Sequence, residues 1–147
     1  MLKMDQAALQ AFLAADFGQV AQEMQVVRAD AAGLALRLIV GAHHLRPGGT
    51  VSGPSIFALA DVAMYLAILS QIGPVALAVT TNCAIDFMRK PAAGCDLVAE
   101  ARVLKLGRSL AVGDVMVFSQ GVAGPVARAS LTYALPPNKN GPTKGAV

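Results

Sequence analysis

At 147 residues with 55% hydrophobic side chains, the chain is one domain's worth of sequence with ample material for a core. Its net charge of +3 comes from twelve basic residues scattered without a run and with little aromatic interleaving, which argues against a nucleic-acid-binding surface. Cys83 and Cys95 lack metal-ligand spacing and are too few for a disulfide framework, so reduced thiols in a cytoplasm fit best, and the N-terminus carries acids and Gln where an export signal is apolar.

In chain order, Asp5 to Asp16 place Ala8, Leu9, Phe12 and Leu13 at helical spacing, predicting a surface helix that ends near Gly18. "EMQVVRAD" and "GLALRLIVG" flank the turn "DAAG", and Leu34, Leu36, Leu38 and Val40 alternate, so the pair reads as a hairpin. Pro54 to Ile72 follows as a long apolar helix, opened by Pro54 with Ser52 and Gly53 as capping candidates and closed by Gly73 and Pro74. It is long enough to cross a bilayer, but Asp61 near its middle argues against a membrane span. It reads instead as a helix wrapped by a sheet, with Ile56, Phe57, Leu59, Met64, Leu66 and Leu69 as core surface.

"LAVTTNCAIDFMRK" then alternates, with Val79, Thr81, Cys83, Ile85 and Phe87 on one face and Thr80, Asn82, Asp86 and Met88 on the other. "CDLVAEARVLKLG", "SLAVGDVMVFSQG" and "PVARASLTYAL" follow as three strands in meander order, separated by glycine-containing turns. The expectation is one α+β domain over residues 1–135 and a flexible tail over residues 136–147, whose Pro, Gly, Asn and Lys have almost nothing to bury.

Asp61 is the residue this pattern does not explain. A buried, unpaired carboxylate costs several kcal/mol or takes up a proton, so Asp61 is expected at a cleft, a polar partner or water. Plain alternatives stand beside each functional reading. Asp61 can simply bond a neighbouring hydroxyl or an arginine, Thr80 is an ordinary strand threonine, and Gly53 and Pro54 are a helix start. His43 and His44 suit a loop pair, and the cations of "MRKPAAG" and "KLGR" suit solvated turns.

Taken together, "GGTVSGPSIFALADVAMYLA", "VTTNCAIDFMRKPAAGCDLVAEARVLKLGRSLAVGDVMVF" and "GPVARASLTY" resemble the hotdog-fold thioesterases of the phenylacetate-degradation type, over Gly41 to Leu135. The resemblance implies an antiparallel sheet wrapped around the long helix, a homodimer formed by joining two sheets side by side, with further pairing into tetramers left open, and hydrolysis of acyl-CoA without a metal or redox cofactor. By the same resemblance Asp61 is the catalytic carboxylate, the Gly53 N–H polarises the thioester carbonyl, and Thr80 assists the attacking water. Arg46 stands near the family's Asn position, and Ser52, Gly53 and Pro54 stand in place of its His-Gly-Gly, lining the entrance for substrate. Arg89, Lys90, Lys105 and Arg108 stand where relatives meet the CoA phosphates, which Arg and Lys suit.

The chemistry is consistent with that implication. A helix N-terminus offers free N–H groups and positive partial charge to a developing oxyanion. Asp61 lies eight residues beyond Gly53, about 12 Å along the axis, which is far for one helix to serve one carbonyl. A dimer in which Gly53 of one protomer faces Asp61 of the other closes that gap. Asp61 is then a general base toward water or a nucleophile giving a transient anhydride. Two alternatives remain open: a hotdog hydratase or dehydratase, which needs His43 or His44 near Asp61, and an acyl-CoA-binding protein without turnover, suggested by the missing family His and Asn.

Overall fold

The computed structural model describes residues 1–137, so the expected tail lies outside the described residues from position 138 onward. Helix α1 spans Gln6–Asp16, capped by the Asp5 carboxylate, which accepts from the Ala8 N–H at 2.9 Å, and it buries Leu9, Phe12 and Leu13. Helix α1 ends near Gly18 as expected; the chain turns at Phe17 and resumes as the short helix α2, Gly18–Ala21. Strands β1 (Met24–Asp30) and β2 (Gly33–Leu38) form the expected hairpin. Its turn is tied by Asp30 Oδ1, which accepts from Ala32 and Gly33 N–H.

A 3-10 turn at Ala42–His44 leads through a loop to α3, Gly53–Ile72. Four strands follow: β3 (Val79–Phe87), β4 (Leu97–Leu106), β5 (Leu110–Ser119) and β6 (Ala127–Ala134). All pairs are antiparallel, in the order β1-β2-β4-β5-β6-β3, so β1 and β3 are the two edges. The β4–β5–β6 meander is as expected, while β3 closes back on β6.

Helix α3 is long and apolar enough to span a membrane by length and composition, yet it is the core helix that the sheet wraps. Its approach to β5 requires Gly113, where a Cβ would collide with the Arg102 carbonyl and the Met64 side chain. Ile56, Leu59, Met64, Leu66 and Leu69 are buried as expected, but Phe57 is 38% exposed. The reason is a stripe at helical spacing, Pro54, Phe57, Ala58, Asp61 and Tyr65, that the protomer leaves partly or fully exposed. Asp61 sits in the middle of that stripe.

Candidate active site

Asp61 is half-buried and borders an open pocket of about 400 Å³ whose other walls include Phe17, Val62, Tyr65, Thr80 and Tyr133. Two hydroxyls converge on one of its carboxylate oxygens. Thr80 Oγ1 donates to Oδ1 at 2.6 Å, and the Tyr133 hydroxyl donates to Oδ1 at 2.7 Å and to the Asp61 carbonyl oxygen at 2.9 Å. No described residue donates to Oδ2. The carboxylate thus has the polar partners that burial demands, and one oxygen to spare.

Strict alternation puts Thr80 on the face opposite Cys83 and Ile85, and the structure corrects this. Thr80 pairs with Tyr133 and Asn82 with Thr132, so Thr81 is an extra residue in β3. This bulge rotates the first two residues of the strand by one position and turns Thr80 toward the helix, on the side of Cys83 and Leu131. Val79, assigned with Cys83, is on the outer face instead and is 54% exposed. Without the bulge, Thr80 could not reach Asp61.

Tyr133 is not among the expected site residues, although the sequence carries a signal for it. It continues the inward series Ala127, Ala129, Leu131 on β6 and is 3% exposed, and a tyrosine on a buried face needs a partner for its hydroxyl. Its ring stacks on Tyr65 with centroids 6.1 Å apart, and Tyr65 is itself held by a hydrogen bond to the Ala76 carbonyl. Burial pushes the Tyr133 phenol far up; the Thr80 hydrogen bond pulls it part of the way back, and the neighbouring Asp61 charge adds to the rise. It remains a proton donor. Burial and then the Asp61 charge likewise push the Cys83 thiol up.

Gly53 opens α3 beyond the Ser52 cap, whose hydroxyl accepts from the Ser55 N–H at 3.4 Å and donates to the Ser55 hydroxyl at 3.0 Å. No described residue accepts from the Gly53 N–H, and Pro54 has none to give. The Phe87 ring covers this entrance, 3.5 Å from where a Gly53 Cβ would stand. Arg46 is exposed in the preceding loop, where its backbone N–H bonds the Thr50 carbonyl.

The cations expected at the CoA phosphates do not form one cluster in the protomer. Arg89 and Lys90 follow β3 at the end of the sheet where the Phe87 ring meets Gly53, whereas Lys105 and Arg108 flank the β4–β5 turn at the Thr80 end. Roughly 25 Å of strand separates the two pairs. The strand order, which no local signal reveals, is the cause. Among the described residues none of these four, nor Arg46, is in an ion pair, while Arg28, Arg37, Arg102 and Arg128 each pair with an aspartate.

His43 and His44 do not line the Asp61 pocket. Both bond Glu23, His43 Nε2 at 2.7 Å and His44 Nε2 at 3.0 Å, and these bonds, His44's first, hold the Glu23 carboxyl below its usual range. The three side chains bring potential metal-ligand atoms within 4.8 Å of one another, a cluster the sequence reading missed. The donor set is wrongly protonated for a metal, however. The Gly41 N–H donates to His44 Nδ1 at 2.8 Å, so the neutral ring carries its proton on Nε2, where a metal would have to bind. The arrangement is a hydrogen-bonded clamp, and because the Ser52 N–H bonds the His44 carbonyl at 2.8 Å, it steadies the start of α3.

Comparisons with known proteins bear on the family and the fold. The profile of the thioesterase superfamily matches residues 48–125. A provisionally named thioesterase from a Silicibacter species is 52% identical, with a TM-score of 0.87 over 93% of this chain and 95% of its own. A single-residue variant of the phenylacetic acid degradation protein PaaI from Thermus thermophilus is 30% identical, with a TM-score of 0.69 over 82% of this chain and 100% of its own. The PaaI protein of the E. coli phenylacetic acid degradation operon is 28% identical, with a TM-score of 0.69 over 85% of this chain and 88% of its own. Among curated proteins, none matches.

Proposed function

The chain belongs to the thioesterase superfamily as a PaaI-like, hotdog-fold thioesterase, and from that premise we propose that it hydrolyses acyl-CoA thioesters to free acid and CoA. The observation that carries the proposal is Asp61, a carboxylate in an otherwise apolar helix, bordering a pocket with Oδ1 held by Thr80 and Tyr133 and Oδ2 free of donors among the described residues. In this reading Oδ2 removes a proton from water or attacks the thioester carbonyl, and the thiolate of CoA leaves. The Gly53 N–H, with the positive end of the α3 dipole, stabilises the oxyanion. No cofactor enters the scheme.

One protomer keeps these groups apart, so the proposal includes a homodimer. β3 is an edge strand, and the exposed stripe of α3 lies open in the protomer. Pairing β3 antiparallel with its copy sets the Phe87 and Gly53 end of one protomer against the Thr80 and Asp61 end of the other. The same operation brings Arg89 and Lys90 of one copy toward Lys105 and Arg108 of the other, reuniting the split cations as a site for CoA phosphates. The hydratase alternative draws no support from this protomer, since His43 and His44 hold Glu23 away from the pocket.

The test is a free-thiol colour assay over a panel of acyl-CoAs, run on the wild type and Asp61→Asn. Wild-type CoA release is expected on at least one member, falling in the variant by on the order of 10² to 10⁴ with the melting temperature nearly kept. Tight acyl-CoA binding without release by the wild type favours the binding-protein alternative. Unchanged release by Asp61→Asn removes Asp61 from the mechanism.

A further inference from the structure

We propose that Tyr133 is a positioning residue for Asp61: its hydrogen bond holds the carboxylate in the orientation that leaves one oxygen free to react. The inference rests on the thioesterase reading above and adds to it a residue from the last strand. Tyr133 shares its one phenolic proton between Oδ1 and the main-chain carbonyl of Asp61, at 2.7 and 2.9 Å, so it grips both the side chain and the helix backbone of the same residue. With Thr80 also on Oδ1, that oxygen has two donors and Oδ2 has none among the described residues. Turning the carboxylate out of this orientation breaks both bonds, and a half-turn merely swaps two equivalent oxygens, so one oxygen is held and the other stays free. Oδ2 is therefore the oxygen left to meet water or the thioester.

A tyrosine suits this task better than a second threonine. Its ring is anchored by the Tyr65 stack and by its place on the buried face of β6, so the hydroxyl arrives in one place. It also stays protonated, because a phenolate beside Asp61 is disfavoured by burial and by like charge. Hydrogen bonds to a carboxylate favour its charged form, the form both proposed roles require. The competing account is that Tyr133 merely satisfies its own hydroxyl on the nearest acceptors. That account ties Tyr133 to stability and leaves the ionisation of Asp61 alone.

The experiment reads Asp61 itself as well as turnover. Protein labelled with carboxyl-13C aspartate is titrated by NMR, with the Asp61 signal identified by its loss in Asp61→Asn, in the wild type and in Tyr133→Phe. In Tyr133→Phe the Asp61 midpoint is expected to move to higher pH. On an acyl-CoA that the wild type cleaves, kcat is expected to fall about ten- to a hundredfold with KM little changed, and the acid limb of the kcat profile to follow the midpoint. An unmoved midpoint overturns the inference whatever the activity. A wild type that cleaves no acyl-CoA leaves the midpoint test intact and counts against the thioesterase reading instead. Should Tyr133→Phe fail to fold, biosynthetic 3-fluorotyrosine in a Tyr65→Phe background makes Tyr133 a stronger donor. The Asp61 midpoint should then move to lower pH relative to unlabelled Tyr65→Phe, and no movement overturns the proposal.

Discussion

Along β1, one edge of the sheet, α1 lays two glutamines against the strand backbone: Gln6 Nε2 donates to the Val26 carbonyl at 2.9 Å, and Gln10 Oε1 accepts from the Val26 N–H at 2.8 Å. Along β3, the other edge, no described element covers the strand, and Val79 and Phe87 are each 54% exposed. A sheet edge is a template for further pairing, and proteins that remain apart cap or charge it. Here one edge is tied at Val26 by the chain's own side chains, and the other is left open beside Asp61 and Gly53, with exposed Val79 and Phe87 at its two ends. The difference teaches where the protomer ends and where, on the reading proposed above, a second copy begins.

The sharpest way to break this contrast is to charge the open edge. Ala84 is exposed at the middle of β3, where a twofold antiparallel pairing sets each residue near its own copy. Ala84→Lys then opposes two like charges, and the dimer dissociation constant should rise by about a hundredfold. CoA release should fall in proportion to the lost dimer, since Gly53 and Asp61 no longer meet. Sedimentation and turnover measured at matched concentrations check this. A fully active monomer would detach β3 from the mechanism.

How much of this was legible in sequence depends on how local the signal is. Asp61 announces itself because a charge in an apolar, capped, helix-length run is costly, and the Ser52 cap and closing Gly73 mark that run. Alternation alone puts Thr80 on the wrong face, because a single bulge residue reverses it without changing composition. The link from Tyr133 to Asp61 spans 72 residues, and only the packing of α3 against β6 brings those elements together. The division of Arg89 and Lys90 from Lys105 and Arg108 is likewise a consequence of strand order, and Phe57 looked like core because periodicity cannot show which helix stripe the sheet leaves open.

A second prediction tests the closed side, whose polar groups are paired inside the chain. Asp96 accepts from the Val40 N–H at 3.0 Å and from Arg37 at 2.6 and 2.8 Å, tying down the chain as it leaves β2 for the loop before α3. The Val40 N–H first, and then Arg37, hold its carboxyl below the ordinary 3.8. A depressed carboxyl stabilises the fold fully above its unfolded value and loses that contribution as pH falls through its folded value. Asp96→Asn should therefore cost about 2 kcal/mol near neutral pH, with the gap to the wild type narrowing below about pH 4. Denaturant midpoints across pH measure it, and a gap independent of pH would assign the contact to packing alone.

The smallest expected change in stability sharpens the comparison most. Gln10→Met keeps a good helix former but removes the acceptor for the partly buried Val26 N–H, which should cost about 1 kcal/mol. Gln6→Met removes the donor to the Val26 carbonyl in the same way. The double variant thus gives β1 free backbone groups like those of β3, flanked by the exposed Val27 and Ile39. If side-chain capping is what distinguishes the two edges, this variant should form concentration-dependent assemblies larger than the wild type's, growing through β1 while the β3 pairing and turnover persist. Light scattering and sedimentation would detect them. If the double variant keeps the wild-type size, α1 shields β1 by bulk, and the glutamines contribute hydrogen bonds without deciding which edge stays single.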